Sequence, residues 1–352
     1  MTSHAASLAD LGWSPFFSAQ LDLAEYETCL PVRVLSVHRG RLLTAGAGFE
    51  QSVTPFAAVE GDEQTLATVG DWLLLDAASR RPLRLLRRSS LFRRRAAGSA
   101  VRLQLIAANV DTVFIVSSCN QDFNPARLER YLSLAREAAV TPVVVLTKAD
   151  LCAETADYAA AAARLLPGLL VEVVDARSEQ AAATLLPWCG RGSTVALLGS
   201  SGVGKSTLVN TLAAAGQATQ GIREDDARGR HTTTARSLHR LVSGGWLVDT
   251  PGMRELQLAE VRSGLADVFA DILMLQAGCR FGDCGHHGEP DCAVAEAIAS
   301  GVLDPARLRR WRKLVAEEAH ASETLRERRE RERGFGRMAR DAIAGKRARR
   351  DG

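Results

Sequence analysis

Short apolar runs and their spacing divide the chain into regions of different type. From Val32 onwards, short apolar or alternating runs are separated by Gly, Asp and Pro, a pattern typical of β-strands. Several such strands within about 65 residues predict a small closed β-barrel, of which the oligonucleotide-binding (OB) barrel is one kind. We assign this barrel to residues 31–98 and expect residues 1–30 to form a loosely attached N-terminal arm.

Between residues 99 and 262 the pattern changes to strands that alternate with helices. Apolar strands are predicted at 110–118, 141–150 and 169–176, with an amphipathic helix at 125–139 between the first two. Such alternation predicts a mostly parallel sheet that binds ligands at the carboxyl ends of its strands. Beyond this region we expect a mainly helical domain over 263–320, which includes an amphipathic helix at 305–319, and a tail helix over 321–352.

Composition indicates a globular protein of two or three domains, with 46% hydrophobic and 24% charged residues among 352. No apolar run approaches the roughly 20 residues of a membrane span. The N-terminus lacks the basic and apolar blocks of a secretory signal. We therefore expect a cytoplasmic protein with no membrane partner. Seven cysteines, three of them between 279 and 292, favour a metal site over a disulfide framework.

A phosphate-binding loop (P-loop) is the most specific motif of the chain. The segment GSSGVGKST at 199–207 fits the pattern G-x-x-x-x-G-K-[ST] and lies between an apolar strand and a predicted helix. Lys205 would reach the β- and γ-phosphates of a nucleoside triphosphate, and Ser206 would bind Mg²⁺. The predicted phosphate-binding residues are Gly199, Ser200, Ser201, Gly202, Val203, Gly204, Lys205, Ser206 and Thr207.

A second motif, TKAD, follows a predicted strand and is similar to the Asn-Lys-x-Asp guanine motif of GTPases. The Asp150 carboxylate can accept hydrogen bonds from guanine N1–H and the 2-amino group, which adenine cannot supply. The stem of Lys148 would cover one face of the base. Thr147 replaces the usual Asn, so we expect weaker guanine affinity, and an ATPase is a weaker alternative. Asp175 and Ala176 stand where GTPases usually carry Ser-Ala.

Two segments after the P-loop would complete a nucleotide switch. Asp249 ends an apolar strand and would hold Mg²⁺, and the Gly252 N–H would contact the γ-phosphate. Thr234, in the segment GRHTTT, would close over Mg²⁺ when the γ-phosphate is present. Residues 218–235 are therefore predicted to order with GTP and to relax after hydrolysis.

Residue 253 bears on the rate of hydrolysis. Met253 follows the DTPG segment, where many GTPases place a Gln that orients water, and a thioether cannot do this. We therefore expect slow intrinsic hydrolysis unless His231, as a further catalytic residue, or a binding partner supplies the missing group. With little turnover, the chain would instead be an RNA-binding module with guanine nucleotide as a structural ligand.

The order of these motifs is permuted. Ordinary GTPases carry the P-loop first and the guanine motif late, whereas here the guanine motif at 147–150 precedes the P-loop at 199–207. The usual sheet can form only if the chain is circularly permuted. The segment after Gly252 then leads directly into the C-terminal domain, to which we expect movement of the switch to be transmitted.

A candidate metal site lies between residues 279 and 292. Cys279, Cys284, His286 and Cys292 offer three thiolates and one imidazole, the ligand set of a closed structural Zn²⁺ site. Because all four positions are filled, the site should stabilise a small domain and not perform chemistry. His287 is a competing ligand because it is adjacent to His286.

Basic residues concentrate in two further places. The tail at 322–352 is either a solvated, frayed helix or an arm that binds nucleic acid and orders on contact. The end of the barrel is either a solvated edge or a face that contacts nucleic-acid phosphates. The arginines of this barrel edge are Arg80, Arg81, Arg84, Arg87, Arg88, Arg93, Arg94 and Arg95.

The ordered set of motifs resembles the ribosome-small-subunit-dependent GTPase A family over roughly residues 30–320. The matching segments are a barrel-like N-terminal region, AANVD (107–111), TKAD (147–150), GSSGVGKSTL (199–208), GRHTTT (229–234), DTPG (249–252) and CRFGDCGHHGEPDCAV (279–294). The resemblance implies a multidomain α/β protein. Its circularly permuted P-loop GTPase domain would lie between an OB-like barrel and a zinc-binding, mainly helical domain.

The same resemblance implies a function. The chain would hydrolyse GTP to GDP and phosphate, with Mg²⁺ at the nucleotide and one structural Zn²⁺. The small ribosomal subunit, in its late maturation, would stimulate hydrolysis, and the domains that flank the GTPase domain would contact rRNA. We expect the protein to act as a monomer and to be released when GTP is hydrolysed.

Overall fold

The computed structural model describes residues 6–38, 40–56, 66–95, 103–214, 236–249 and 261–321. The predicted switch segment at 218–235 and the tail at 322–352 lie outside these ranges. The chain divides into two compact units. The first contains the described residues up to Arg94, those from Gln104 to 249, and 263–269, and the main part of the second begins at Ala270.

The described strands cover the predicted barrel and GTPase regions. They are β1 (Cys29–His38), β2 (Arg41–Gly46), β3 (Phe49–Val53), β4 (Trp72–Asp76), β5 (Pro82–Leu85), β6 (Leu91–Arg95), β7 (Leu103–Ala108), β8 (Thr112–Ser118), β9 (Thr141–Thr147), β10 (Leu170–Val173), β11 (Thr194–Leu198), β12 (Arg236–Arg240) and β13 (Trp246–Asp249).

The described helices lie in the N-terminal arm, between the strands and in the second unit. They are α1 (Pro15–Ser18), α2 (Leu23–Thr28), α3 (Pro125–Glu137), α4 (Thr155–Ala163), α5 (Glu179–Leu185), α6 (Lys205–Ala214), α7 (Arg262–Val268), α8 (Ala270–Gln276), α9 (Ala293–Ala299) and α10 (305–321). None of the helices in the described ranges is both long and apolar enough to cross a lipid bilayer.

A mostly parallel sheet forms the core of the GTPase region, in the order β10-β9-β8-β11-β13-β12. The ladders between neighbours are parallel except for β12, which runs antiparallel to β13. Every residue of β8 is buried, as expected for an apolar strand that is covered on both faces. The sheet confirms the predicted fold class and brings the ends of β8 and β9 together, with Ser118 opposite Thr147.

Six described strands lie in the predicted barrel region. Five of them form an antiparallel arrangement in the order β3-β2-β1-β4-β5, and β6 pairs with β7 in a separate two-stranded sheet. Residues from β1 to β4 share one apolar core, against which Leu85 of β5 packs. β1 also pairs with β12 through Ser36 and Val37, so this region continues the sheet of the GTPase region. Closure of the five strands into a barrel stays a prediction.

The N-terminal arm differs from the prediction. A loosely attached segment is predicted for residues 1–30, but its first part is packed: Leu11 is 1% exposed and Phe17 is 4% exposed, whereas α2 buries none of its residues. Trp13 packs edge-on against Trp72 of β4, with 4.8 Å between the ring centroids. The sequence pattern conceals this packing because the apolar residues of the arm follow neither a helix nor a strand period over more than one turn.

The second unit is mainly helical, as predicted. Its helices α8 and α10 are joined by Arg307, which donates to both carboxylate oxygens of Asp271 at 2.7 and 2.9 Å. A loop between α8 and α9 carries the cysteine and histidine residues of the candidate metal site. Because short helices bury little apolar surface, this unit depends on additional links between its elements.

Candidate nucleotide site and cysteine cluster

The predicted P-loop connects β11 to α6 at the carboxyl edge of the parallel sheet. Gly199, Gly202 and Gly204 have φ values of 151°, 80° and 95°, which L-residues with side chains rarely adopt. A Cβ atom on Gly199 would lie 2.4 Å from the carbonyl oxygen of Val116 in β8. The glycines are therefore required both for the turn and for its close approach to the sheet.

Lys205 lies across the inner side of the loop. Its ammonium group donates to the Gly199 carbonyl at 2.7 Å and to the Ser200 carbonyl, and the residue is 9% exposed. Ser206 follows at the start of α6 and is exposed. A positive charge, a helix N-terminus and an exposed hydroxyl thus converge where an anion would bind.

Thr147 is buried at the end of β9 and lies beneath the P-loop. Its hydroxyl is 2.6 Å from the Val203 carbonyl and 3.1 Å from the Ser117 carbonyl, and it is the donor to both. A Cβ atom on Gly204 would come within 3.4 Å of the Thr147 hydroxyl oxygen. The residue that replaces the usual Asn therefore joins the P-loop to the ends of two strands.

The other residues of the guanine motif, Lys148 and Asp150, follow Thr147 in the chain. Lys148 adopts a left-handed backbone conformation with φ of 59°, and Asp150 lies in the short helical turn after it. An arginine that the sequence analysis does not single out, Arg177, donates to the Asp150 carboxylate at 2.6 Å. Its Nε also lies 3.5 Å from the Asp175 carboxylate. Ala176, between Asp175 and Arg177, is buried and accepts from the Thr211 hydroxyl at 2.6 Å.

Arg127 is a second arginine that sequence reasoning misses. It lies in the first turn of α3, which is capped by Asn124, and its guanidinium donates to the Ser200 hydroxyl at 2.9 Å. Because 73 residues separate the two partners in the chain, no local motif indicates the contact. The positive charge beside the P-loop is therefore larger than the motif alone predicts.

Several predicted switch residues cannot be placed in the site. Asp249 ends β13, where its backbone pairs with Ser237. Thr234, His231 and Gly252 lie outside the described residues, as does Met253. The roles assigned to these residues from the sequence stay predictions.

The four predicted zinc ligands come together in the second unit. Their ligand atoms all lie within 4.8 Å of one another. His286 Nδ1 is 3.5 Å from the Cys292 sulfur and 3.7 Å from the Cys279 sulfur, and the two sulfurs are 3.9 Å apart. Tetrahedral Zn²⁺ with Zn–S bonds of about 2.3 Å requires similar separations, of roughly 3.5 to 3.8 Å between ligands. The donor set therefore fits Zn²⁺, and the separations among Cys279, His286 and Cys292 are close to the tetrahedral values.

A helix outside the motif supports the cysteine cluster. Arg312 of α10 donates to the carbonyls of Gly285 and His286 at 2.7 and 2.8 Å. The ring of Trp311 lies 6.2 Å from the His286 ring. These contacts hold the histidine so that its Nδ1 faces the sulfurs, and His287 is not part of the cluster in the described chain. Neither Arg312 nor Trp311 belongs to a motif that is visible in the sequence.

Part of the arginine-rich barrel edge has structural partners. Arg84 donates to both carboxylate oxygens of Glu25, and Arg88 donates to both carboxylate oxygens of the buried Asp71. Arg80 lies over the Phe49 ring, 4.7 Å from its centroid. Two of these arginines therefore have structural ion pairs, Arg84 with the N-terminal arm and Arg88 within the barrel region. A phosphate-contacting role for the rest of the edge stays a prediction.

Comparison with known proteins identifies relatives of nearly the same length. A family model described as RsgA GTPase matches residues 85–259. A Vibrio parahaemolyticus protein named small ribosomal subunit biogenesis GTPase RsgA 2 is 47% identical over 350 residues, 99% of this chain and 96% of the relative. A Mesorhizobium japonicum protein named small ribosomal subunit biogenesis GTPase RsgA is 51% identical over 326 residues, 91% of this chain and 92% of the relative.

Two solved structures have a similar fold. The crystal structure of YjeQ from Thermotoga maritima matches with a TM-score of 0.60 and 22% identity, over 82% of this chain and 98% of that one. The structure of YloQ, described as a circularly permuted GTPase, matches with a TM-score of 0.58 and 22% identity, over 84% of this chain and 97% of that one. The fold agrees with the permuted motif order, and the identity to the curated relatives shows that this chain belongs to the RsgA GTPase family.

Proposed function

We propose that this protein hydrolyses GTP to GDP and phosphate in the late maturation of the small ribosomal subunit, and that the subunit stimulates the reaction. The names of the close relatives support the proposal. The observation that carries it is the placement of Lys205 and Asp150 at the carboxyl edge of one parallel sheet. A nucleotide that spans this edge would contact both.

The nucleotide would be held at its two ends. The phosphates would bind in the P-loop, where Lys205 would exchange the carbonyls of its own loop for phosphate oxygens. Ser206 would hold Mg²⁺, together with the predicted ligands Asp249 and Thr234. At the other end, Asp150 would accept hydrogen bonds from guanine, and the stem of Lys148 would cover the base. Mg²⁺ would neutralise the charge that develops on the phosphates.

The rate of the reaction would depend on a partner. Met253 cannot orient a water molecule, and His231 is the candidate within this chain for that role. We propose that binding to the small subunit supplies or orders the missing group, so that hydrolysis occurs mainly on the subunit. The protein would then stay on the subunit while GTP is bound, and hydrolysis of GTP would release it.

The second unit would be stabilised by one Zn²⁺. Cys279, Cys284, Cys292 and His286 would hold the ion, and Arg312 would orient the loop. Because the four residues fill a tetrahedral shell, the ion would act as a structural link in a unit of short helices.

Contacts to rRNA would come from basic residues that do not hold the fold together. On the barrel, Arg81 and Arg87 are exposed, and phosphates would bind there with a strong dependence on salt. The basic tail at 322–352 would provide a further contact. We expect the protein to act in the cytoplasm, where ribosomal subunits are assembled, and as a monomer.

The activity and its base specificity can be tested together. Phosphate release should be measured with GTP and with ATP, for the wild type, Lys205→Ala and Lys313→Ala, which removes an exposed lysine of α10. We expect release from GTP only, loss in Lys205→Ala and no change in Lys313→Ala. Asp150→Asn should prefer xanthosine triphosphate, because an amide can donate to the additional carbonyl of xanthine. Equal use of GTP and ATP by the wild type would contradict guanine recognition.

A further inference from the structure

The guanine-recognition carboxylate already has a cationic partner from this chain. Arg177 Nη2 donates to Asp150 Oδ2 at 2.6 Å, and Arg177 Nε lies 3.5 Å from Asp175 Oδ1. The Arg177 backbone N–H donates to the same Asp175 oxygen at 3.0 Å. An acid–arginine–acid cluster therefore lies where the base of the nucleotide is expected.

We propose that Arg177 competes with guanine for Asp150 and thereby sets the affinity and association rate of the nucleotide. The inference rests on the proposed binding of guanine nucleotide and concerns the regulation of that same site. Arg177 acts as a latch on the empty site, closed when it donates to Asp150 and open when the base has taken its place.

The chemistry of the two donors explains the competition. A guanidinium group is planar and presents adjacent N–H donors, which match a carboxylate in two parallel hydrogen bonds. Guanine presents N1–H and its 2-amino group in a similar arrangement. Guanine would use both Asp150 oxygens, one for N1–H and one for the 2-amino group, and Arg177 already donates to Oδ2, so the two partners compete for that oxygen. The arginine must leave before the base can bind.

Asp175 determines where the arginine goes. The Arg177 side chain is 68% exposed, so it can move without opening the core. Asp175 accepts a hydrogen bond from the Arg177 backbone N–H and lies beside the Arg177 Nε. Asp175 therefore keeps the guanidinium near the site when the latch is open. In most GTPases the position of Asp175 carries a Ser, which has no charge to hold an arginine. The latch is thus a consequence of this chain's own residues.

The size of the effect follows from the exposure of the pair. Exposed ion pairs are weak, so the latch should be closed most, but not all, of the time and should reduce nucleotide affinity by about two- to fivefold. Because the latch acts only on the empty site, it slows association and leaves dissociation unchanged. Released GDP is then less able to rebind, which favours resetting of the switch.

Stopped-flow binding of ribose-labelled fluorescent GDP to the full chain tests this. We would compare the wild type with Arg177→Met, which keeps the aliphatic stem, and with Arg177→Ala. Arg164→Ala, at an exposed position after α4, is the matched control. We expect both Arg177 variants to associate two- to fivefold faster with unchanged dissociation, and Arg164→Ala to behave as the wild type.

A double-mutant cycle isolates the contact with Asp150. Asp150→Asn removes the charge that holds the arginine, so Arg177→Met should have no effect on binding of labelled xanthosine diphosphate in that background. Slower association or faster dissociation of GDP in Arg177→Met would mean that the arginine holds the base, and would overturn the proposal, as would an unchanged association rate. If GDP binds to none of the proteins, the guanine-nucleotide function itself fails.

Discussion

The Thr147 hydroxyl donates a 2.6 Å hydrogen bond to the Val203 carbonyl and so ties the end of β9 to the P-loop. Thr147 is completely buried. From the sequence, Thr147 is expected to weaken guanine binding because it replaces the usual Asn of the guanine motif. Its position indicates instead that its hydroxyl supports the loop, while Lys148 and Asp150 remain to contact the base.

Thr147→Val should weaken GTP and GDP binding alike. The substitution keeps the shape of the side chain but leaves the Val203 carbonyl without its donor, at a cost of about 1 kcal/mol, which is roughly fivefold in affinity. Thr147→Ser retains a hydroxyl and should bind as the wild type does. Fluorescence titrations with both nucleotides measure the effect. A loss of affinity in Thr147→Ser, with wild-type affinity in Thr147→Val, would show that packing of the methyl group, and not the hydrogen bond, supports the loop.

Arg33→Met should destabilise the first unit. Arg33 is 1% exposed, and its guanidinium donates to the Leu11 carbonyl at 2.6 Å and the Thr194 hydroxyl at 2.7 Å. Burial lowers the pKa of Arg33 to about 10, which leaves it charged at neutral pH. Loss of these bonds leaves several buried acceptors unsatisfied, and we expect a decrease of about 3 kcal/mol in the free energy of unfolding.

Urea unfolding followed by circular dichroism measures this change. Arg41→Met is the control, because Arg41 lies on the neighbouring strand β2 and is exposed. We expect Arg41→Met to change stability by less than about 0.5 kcal/mol. A similar effect in both variants would contradict a specific role for the buried arginine.

Glu25→Gln should change stability in a pH-dependent way. Hydrogen bonds from Arg84, with a further one from the Asp22 backbone, lower the pKa of Glu25 from 4.5 to about 2. Because the folded-state pKa is lowered, ionised Glu25 stabilises the protein above about pH 4.5, and this contribution is lost as the pH falls towards 2. The Tm of the wild type should exceed that of Glu25→Gln at pH 7, and the difference should vanish across this window.

The control for this prediction lies on the same helix. Glu27→Gln alters an exposed carboxylate of α2, and Gln at position 25 retains the capping interaction with Asp22. Thermal unfolding from pH 7 to pH 2 should show little difference between Glu27→Gln and the wild type. A Tm difference for Glu25→Gln that does not change with pH would refute the assigned ion pair.

Cys292→Ser should remove Zn²⁺ from the second unit. The Cys292 sulfur belongs to the cluster and also accepts the backbone N–H of Ala295 at the start of α9. Serine can replace the helix cap but is a poor zinc ligand. We expect about one zinc ion per chain in the wild type and in Cys152→Ser, measured by mass spectrometry of the metal, and much less in Cys292→Ser. Full zinc occupancy in Cys292→Ser would contradict the assigned ligand set.

Local spacing explains which features the sequence predicts well. The P-loop lies within 199–207 and the cysteine cluster within 279–292, so each motif is visible without knowledge of the fold. The parallel sheet is predicted because its strands are continuous apolar runs. These features depend on residues that are close in the chain or on a simple period.

Features that depend on distant contacts are missed. Arg177 and Asp150 are 27 residues apart, and Arg312 and His286 are 26 apart. The packing of Trp13 on Trp72 likewise joins two segments with no common motif. A partner in another element leaves no pattern in a single sequence, so the supporting residues of each site emerge only from the structure.

Phosphate release from GTP, with and without purified small ribosomal subunits, tests the central proposal most directly. We expect subunits to raise GTP turnover by more than about tenfold. We expect no phosphate release from ATP, and none from GTP in Lys205→Ala. That result would show that the subunit supplies or orders the group that orients the attacking water, a role that Met253 cannot fill. If subunits bind the protein but leave turnover unchanged, the nucleotide is a structural ligand of an RNA-binding module, and the proposal of a subunit-stimulated GTPase is wrong.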